Sequence, residues 1–120
     1  MSRVLVIDDN PENLELMRYL LQAFGHATLC ANNGVEGVAT ALHGQPDIIV
    51  CDIDMPKLDG YDVIRALEND PAFARIPFIA VTALAMVGDR ETVLAAGFDG
   101  YIGKPIDPTT FVREVERFLG

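Results

Sequence analysis

Short runs of consecutive apolar residues recur along this chain, and each stops abruptly at a polar group. Val4-Leu5-Val6-Ile7 ends at Asp8-Asp9, Ile48-Ile49-Val50-Cys51 at Asp52, and Phe78-Ile79-Ala80-Val81 at Thr82. Uninterrupted runs of this length, rich in β-branched residues, predict strands buried on both faces. Ala27 to Ala31 and Tyr101-Ile102 predict two weaker strands, the second ending in Gly103-Lys104-Pro105. Between the runs the apolar spacing turns helical. Asn10 offers an N-cap, Pro11 takes the first helical position, and Leu14, Met17, Leu21 and Phe24 form a stripe that Gly25 closes. Val35 to Leu42 predicts a short helix with Val38, Ala41 and Leu42 inward, weakened by Gly37. Val63, Ile64 and Leu67 mark a third helix that Asn69-Asp70-Pro71 ends, and Asp89 to Ala96 a fourth that Gly97 closes. Asp107-Pro108 repeats the cap-plus-proline entry ahead of a last stripe of Phe111, Val115, Phe118 and Leu119. Five strands alternating with five helices predict a parallel sheet covered on both faces, a doubly wound α/β domain over residues 1–120.

In a parallel sheet every strand points the same way, so the polar residues after the apolar runs share one edge. Ligands of open α/β sheets bind at that edge. Asp8, Asp9, Asp52, Thr82 and Lys104 therefore converge from distant segments, and neither propensity nor core packing asks for such a set. Two carboxylates about 4 Å apart repel by about 4 kcal/mol at an effective dielectric near 20. Lys104 supplies one counter-charge; a hard cation with oxygen ligands, Mg²⁺ first and Mn²⁺ as the variant, supplies the rest. A carboxylate beside a cation, an ammonium and a hydroxyl is the equipment of phosphoryl transfer, where positioning and charge neutralisation carry most of the catalysis. Asp52 is the expected acceptor.

Composition narrows the partners. The 120 residues are 50% hydrophobic and 22% charged, which argues for a globular chain, and the net charge of −9 disfavours direct contact with nucleic acid or anionic membrane surfaces. No apolar run approaches the roughly 20 residues needed to span a bilayer. With no signal-peptide pattern, and with Cys30 and Cys51 expected as buried free thiols, a soluble cytoplasmic domain is the expectation.

Taken together, these residues resemble the receiver domain of two-component response regulators. The resemblance spans essentially the whole chain: Asp8-Asp9, Asp52, Met55-Pro56, Asp59-Gly60, Thr82-Ala83, Ala96-Gly97, Tyr101 and Lys104-Pro105 stand in the family's order and spacing. The stretch from Thr82 to Glu91 is similar to receivers of hybrid kinases and of stand-alone single-domain regulators. The resemblance implies a flavodoxin-like sheet of order 2-1-3-4-5. It implies that Asp52 is the phosphoacceptor, that Asp9, Asp52 and the main-chain carbonyl of Asp54 ligate Mg²⁺, and that Asp8 acts through a bound water. Lys104 would pair with the acceptor or the phosphoryl group, across a cis Lys104-Pro105 peptide. Thr82 would bond a phosphoryl oxygen and let Tyr101 swing inward, remodelling the face of helix four, strand five and helix five. Asp54 and Leu84 occupy positions that tune phosphoryl lifetime in the family. The implied donor is a phosphohistidine on a sensor histidine kinase or histidine phosphotransfer protein, and the output a downstream protein target. Such a domain catalyses only its own phosphorylation and dephosphorylation.

Several alternatives compete. Asp52-Ile53-Asp54 also resembles the nucleophile motif of haloacid-dehalogenase-type phosphatases, although those usually carry it on the first strand and need more chain for a cap. A nucleotide- or flavin-binding module lacks its Gly-rich loop after strand one. A degenerate, unphosphorylated interaction domain is at odds with the complete acidic set. His26 and His43 are expected to be exposed and without a role, and Met17, Met55 and Met86 to pack. No output domain is visible, so any effect on a target is expected to pass through protein contacts.

Overall fold

The computed structural model describes residues 2–55, 58–83 and 87–119, and the side chains of all of these except 87–90. Five strands, β1 (Arg3–Ile7), β2 (Ala27–Ala31), β3 (Ile48–Asp52), β4 (Phe78–Thr82) and β5 (Gly100–Gly103), form one parallel sheet in the order β2-β1-β3-β4-β5. The helices are α1 (Pro11–Ala23), α2 (Gly34–Gly44), α3 (Gly60–Leu67), α4 (Val87–Ala95) and α5 (Phe111–Glu116). A short 3₁₀ turn over Pro71–Phe73, which the sequence pattern did not suggest, follows α3.

Strand residues alternate between two cores. Val4, Val6, Ile48, Val50, Ile79 and Val81 pack with Met17, Leu21, Phe111 and Val115 of α1 and α5. Leu5, Ile7, Ile49, Cys51 and Ala80 pack on the other face with Ala41, Val63, Ile64 and Leu67 of α2 and α3. Because both faces are covered, the strands read as continuous apolar runs rather than as alternating patterns. Helix α3 illustrates what places a helix here. Asp59 and Asp62 form a reciprocal capping box at its start, worth about 1 kcal/mol. Burial of Val63, Ile64 and Leu67 contributes about 1.5–3 kcal/mol for each side chain, so packing dominates.

Several expectations need correction. Phe24 is 63% exposed because α1 ends at Ala23 and Gly25, at φ +88°, turns the chain away before the stripe completes. Leu42 is 51% exposed, since the face α2 buries is built from Gly34, Gly37 and Ala41. Gly37 is thus a contact residue and not merely a weak point: a Cβ there would lie 2.5 Å from Cδ1 of Ile7. His26 is only 10% exposed at its side chain, with Nε2 2.8 Å from a Glu116 carboxylate oxygen across 90 residues of sequence. His43 is exposed. Cys30 is half-buried, and only Cys51 is fully enclosed. Helix α5 starts at Phe111, while Asp107 caps the preceding turn by accepting from the Thr109 N–H at 2.9 Å.

Gly60, at the start of α3, packs directly on the loop that follows Asp52. A Cβ there would stand 2.6 Å from Ile53 Cγ2 and 2.7 Å from Ile53 Cα. Since the obstacle includes backbone, Gly60→Ala is expected to cost about 1–3 kcal/mol of stability, measured by urea denaturation. An unchanged midpoint would show that this loop moves aside freely.

Candidate functional site

Register brings the polar ends of the strands level. Ile7 pairs with Cys51, so Asp8 and Asp52 follow side by side. Asp52 pairs with Val81, and Thr82 with Gly103, which sets Thr82 and Lys104 beyond them on the same edge. Lys104 N–H donates to the Thr82 carbonyl at 2.8 Å, continuing the ladder past the strands. The Lys104–Pro105 peptide bond is cis.

Asp52 is buried, and its two oxygens have different partners. Oδ2 accepts from the Lys104 ammonium at 2.9 Å, and Oδ1 accepts from the Asp54 N–H at 2.9 Å. Asp8 is fully buried; its Oδ1 accepts from the Asn10 N–H at 2.8 Å, whereas Oδ2 has no hydrogen-bond partner among the described residues. Asp9 is exposed, yet Asp8, Asp9 and Asp52 each bring one carboxylate oxygen to within 4.8 Å of the others.

The electrostatics follow from this crowding. Burial, reinforced by nearby Asp52, pushes the Asp8 carboxyl up to about 6, against the opposing pull of the Asn10 N–H and Lys104. Burial pulls the Lys104 ammonium down, but its bond to Asp52 and the charges of Asp52, Asp8 and Asp54 more than reverse this and raise it. Among the described residues, three carboxylates face one ammonium, which leaves them short of positive charge. A buried carboxylate oxygen with no donor, facing two other acids, is suited to a hard divalent cation, which takes oxygen ligands from carboxylates, carbonyls and water. The residues present fit Mg²⁺. Cys51, adjacent to the site, is not a candidate nucleophile, since burial pushes its thiol far up.

The hydroxyl of Thr82 and the N–H of Ala83 both point at Oδ2 of Asp54, each at 3.4 Å. Nothing in the sequence announced this contact across 28 residues, because it depends on where the loop after β3 turns. Tyr101 is half-buried against the α2–α3 core. Leu84, Pro56 and Met86 lie outside the described residues.

The response regulator receiver domain family matches residues 4–116 of this chain. The chain belongs to that family. Among curated relatives, this receiver is 38% identical over 117 residues to the polar-differentiation response regulator DivK of Brucella anthropi, covering 98% of this chain and 95% of the relative. Its fold matches the chemotaxis protein CheY4 of Vibrio cholerae with a TM-score of 0.93, at 25% identity and 98% coverage of both chains. It also matches the receiver domain of the sensor histidine kinase PA1611 of Pseudomonas aeruginosa PAO1 with a TM-score of 0.89, at 33% identity, covering 99% of this chain and 98% of that one. That structure holds a magnesium ion coordinated in its active-site cleft. The relatives named here are response regulators or kinase receivers, so the domain functions in two-component signalling as a regulatory element, and the phosphatase alternative finds no support. No helix among the described residues is long and apolar enough to cross a membrane.

Proposed function

We propose that this receiver takes a phosphoryl group from a phosphohistidine onto Asp52 and signals by the resulting change of its surface. The observation that carries this reading is a buried carboxylate held by an ammonium at 2.9 Å and flanked by two further acids. An Asp52 oxygen attacks phosphorus, the N–P bond of the donor breaks, and the departing imidazole takes up a proton from solvent. Asp9, Asp52 and the Asp54 carbonyl would hold Mg²⁺, or Mn²⁺ in its place, with Asp8 directly or through water; the orphaned Asp8 oxygen supports this. When bound, the cation neutralises the carboxylates and the incoming phosphoryl oxygens.

Lys104 steadies Asp52 before transfer and one phosphoryl oxygen after it. Thr82 and the Ala83 N–H receive another oxygen, and Tyr101 follows inward to remodel the face of α4, β5 and α5 for a downstream protein. This is a local charge event that biases a two-state element. The chain acts on itself alone, with Asp54 and Leu84 setting the lifetime of the product. Its donor is a sensor histidine kinase or histidine phosphotransfer protein, which places the exchange in the cytoplasm with the ATP that charges the kinase. The acidic surface gives nucleic acid and membrane no role in it.

Incubation with a phosphohistidine-labelled transfer domain and Mg²⁺ tests the reading. Label should move to this chain in a form that hydroxylamine releases, as an acyl phosphate requires, and EDTA should stop the transfer. Label that resists hydroxylamine, or transfer that ignores EDTA, would overturn it.

A further inference from the structure

The carboxylate of Asp54 stands where a phosphoryl oxygen is wanted. Two backbone contacts put it there. Ile53 N–H donates to the Val81 carbonyl at 3.1 Å, tying the loop to the end of β4, and Asp54 N–H closes back on Asp52 at 2.9 Å. The side chain is thereby directed across to β4, where one oxygen, Oδ2, faces both the Thr82 hydroxyl and the Ala83 N–H. One anionic oxygen shared by a hydroxyl and a backbone N–H is the arrangement that a phosphoryl oxygen on Asp52 would require of the same two donors. Both distances are 3.4 Å, longer than an ordinary bond of about 2.9 Å, so the hold is weak and releasable.

We infer that Asp54 is an internal competitor: its carboxylate occupies the Thr82–Ala83 donors in the unphosphorylated receiver and must be displaced when an anion seats on Asp52. The inference rests on Asp52 being the phosphoacceptor and goes beyond it, assigning Asp54 to entry into the active state in addition to the lifetime of that state. Asp54 is a positioning residue acting through Thr82 and Ala83. Two penalties oppose the incoming phosphoryl group. The donors are already engaged, and a second anion lies beside the one arriving.

Binding of beryllofluoride, a phosphoryl mimic, at saturating Mg²⁺ provides the test. Wild type, Asp54→Ala, Asp54→Asn and the same changes in a Thr82→Ala background are compared by titration, with circular dichroism to confirm folding. Asp54→Ala should tighten binding by about twofold to fivefold, between the weakest net hydrogen bond and an ordinary one. Asp54→Asn, which keeps an acceptor oxygen but no charge, should gain less, and the gain from Asp54→Ala should shrink once Thr82 is removed. Unchanged or weaker binding by Asp54→Ala overturns the inference. So does a full gain in Asp54→Asn that Thr82→Ala leaves intact, since that describes charge repulsion without competition for donors. Wild type that binds no beryllofluoride would instead remove the phosphoacceptor reading itself, leaving the two failures distinguishable.

Discussion

Asp52→Asn is expected to take up no phosphoryl group from acetyl phosphate and Mg²⁺, while the wild-type chain gains the mass of one. The expectation rests on geometry. Asp52 is buried, yet its Oδ2 faces the Lys104 ammonium at the open edge of the sheet, and Oδ1 is fixed by the Asp54 N–H. Asparagine preserves size and one acceptor oxygen but removes the carboxylate that attacks phosphorus. Among the described residues no other acid is so equipped. Asp8 is buried and tied to Asn10, Asp9 is exposed, and Asp54 turns toward Thr82. A residual phosphoryl adduct on Asp52→Asn that hydroxylamine releases would place the acceptor elsewhere. Intact mass spectrometry before and after hydroxylamine reads both outcomes.

Why so much of this was legible lies in how parallel sheets are built. Strands covered on both faces must be uniformly apolar, so Val4 to Ile7, Ile48 to Cys51 and Phe78 to Val81 are conspicuous, and so are the polar residues that end them. Because all the strands point one way, Asp8, Asp52, Thr82 and Lys104 could be assembled without knowing a single distance. Helix faces were harder. Leu42 and Phe24 fit a helical stripe yet face solvent, because α2 buries glycine and alanine for close approach and α1 stops one residue early. Contacts that cross the fold had no local signal at all. His26 meeting Glu116, and Asp54 meeting Thr82 and Ala83, join residues whose separation in sequence carries no periodicity. In sequence His26 has the look of an exposed histidine, and nothing local to Asp54 sets the direction of its side chain.

The cost of assembling the acidic cluster gives the second large prediction, that Asp8→Asn stabilises the metal-free protein at neutral pH. Asp8 is fully buried, and in the folded state its carboxyl is raised from the usual 3.8 to about 6. Between those values the folded chain binds protons that the unfolded chain has lost. Wild-type stability therefore falls as pH rises through this window, by about 3 kcal/mol in total. Asparagine pays no such penalty, though its amide brings donors whose loss of water costs about 1 kcal/mol. The net expectation at pH 7.5 in EDTA is a gain of about 2 kcal/mol, or about 5–10 °C in melting temperature, shrinking toward nothing near pH 5. Magnesium should invert the ranking. A cation that binds only the folded state at a hundred times its dissociation constant adds about 2.7 kcal/mol. The wild type, with all three carboxylates, should collect that gain, while the variant, lacking one, should collect much less. The decisive measurement is thermal denaturation at pH 5 and 7.5, with and without Mg²⁺. If Asp8→Asn is the less stable chain at pH 7.5 in EDTA, Asp8 is supported by the fold rather than held against its own burial. If both chains gain equally from Mg²⁺, the ion sits where Asp8 does not reach it. The predicted crossing carries a functional consequence: an edge unstable without a cation is one that a cation, and then a phosphoryl group bound beside it, can reorganise at little further cost.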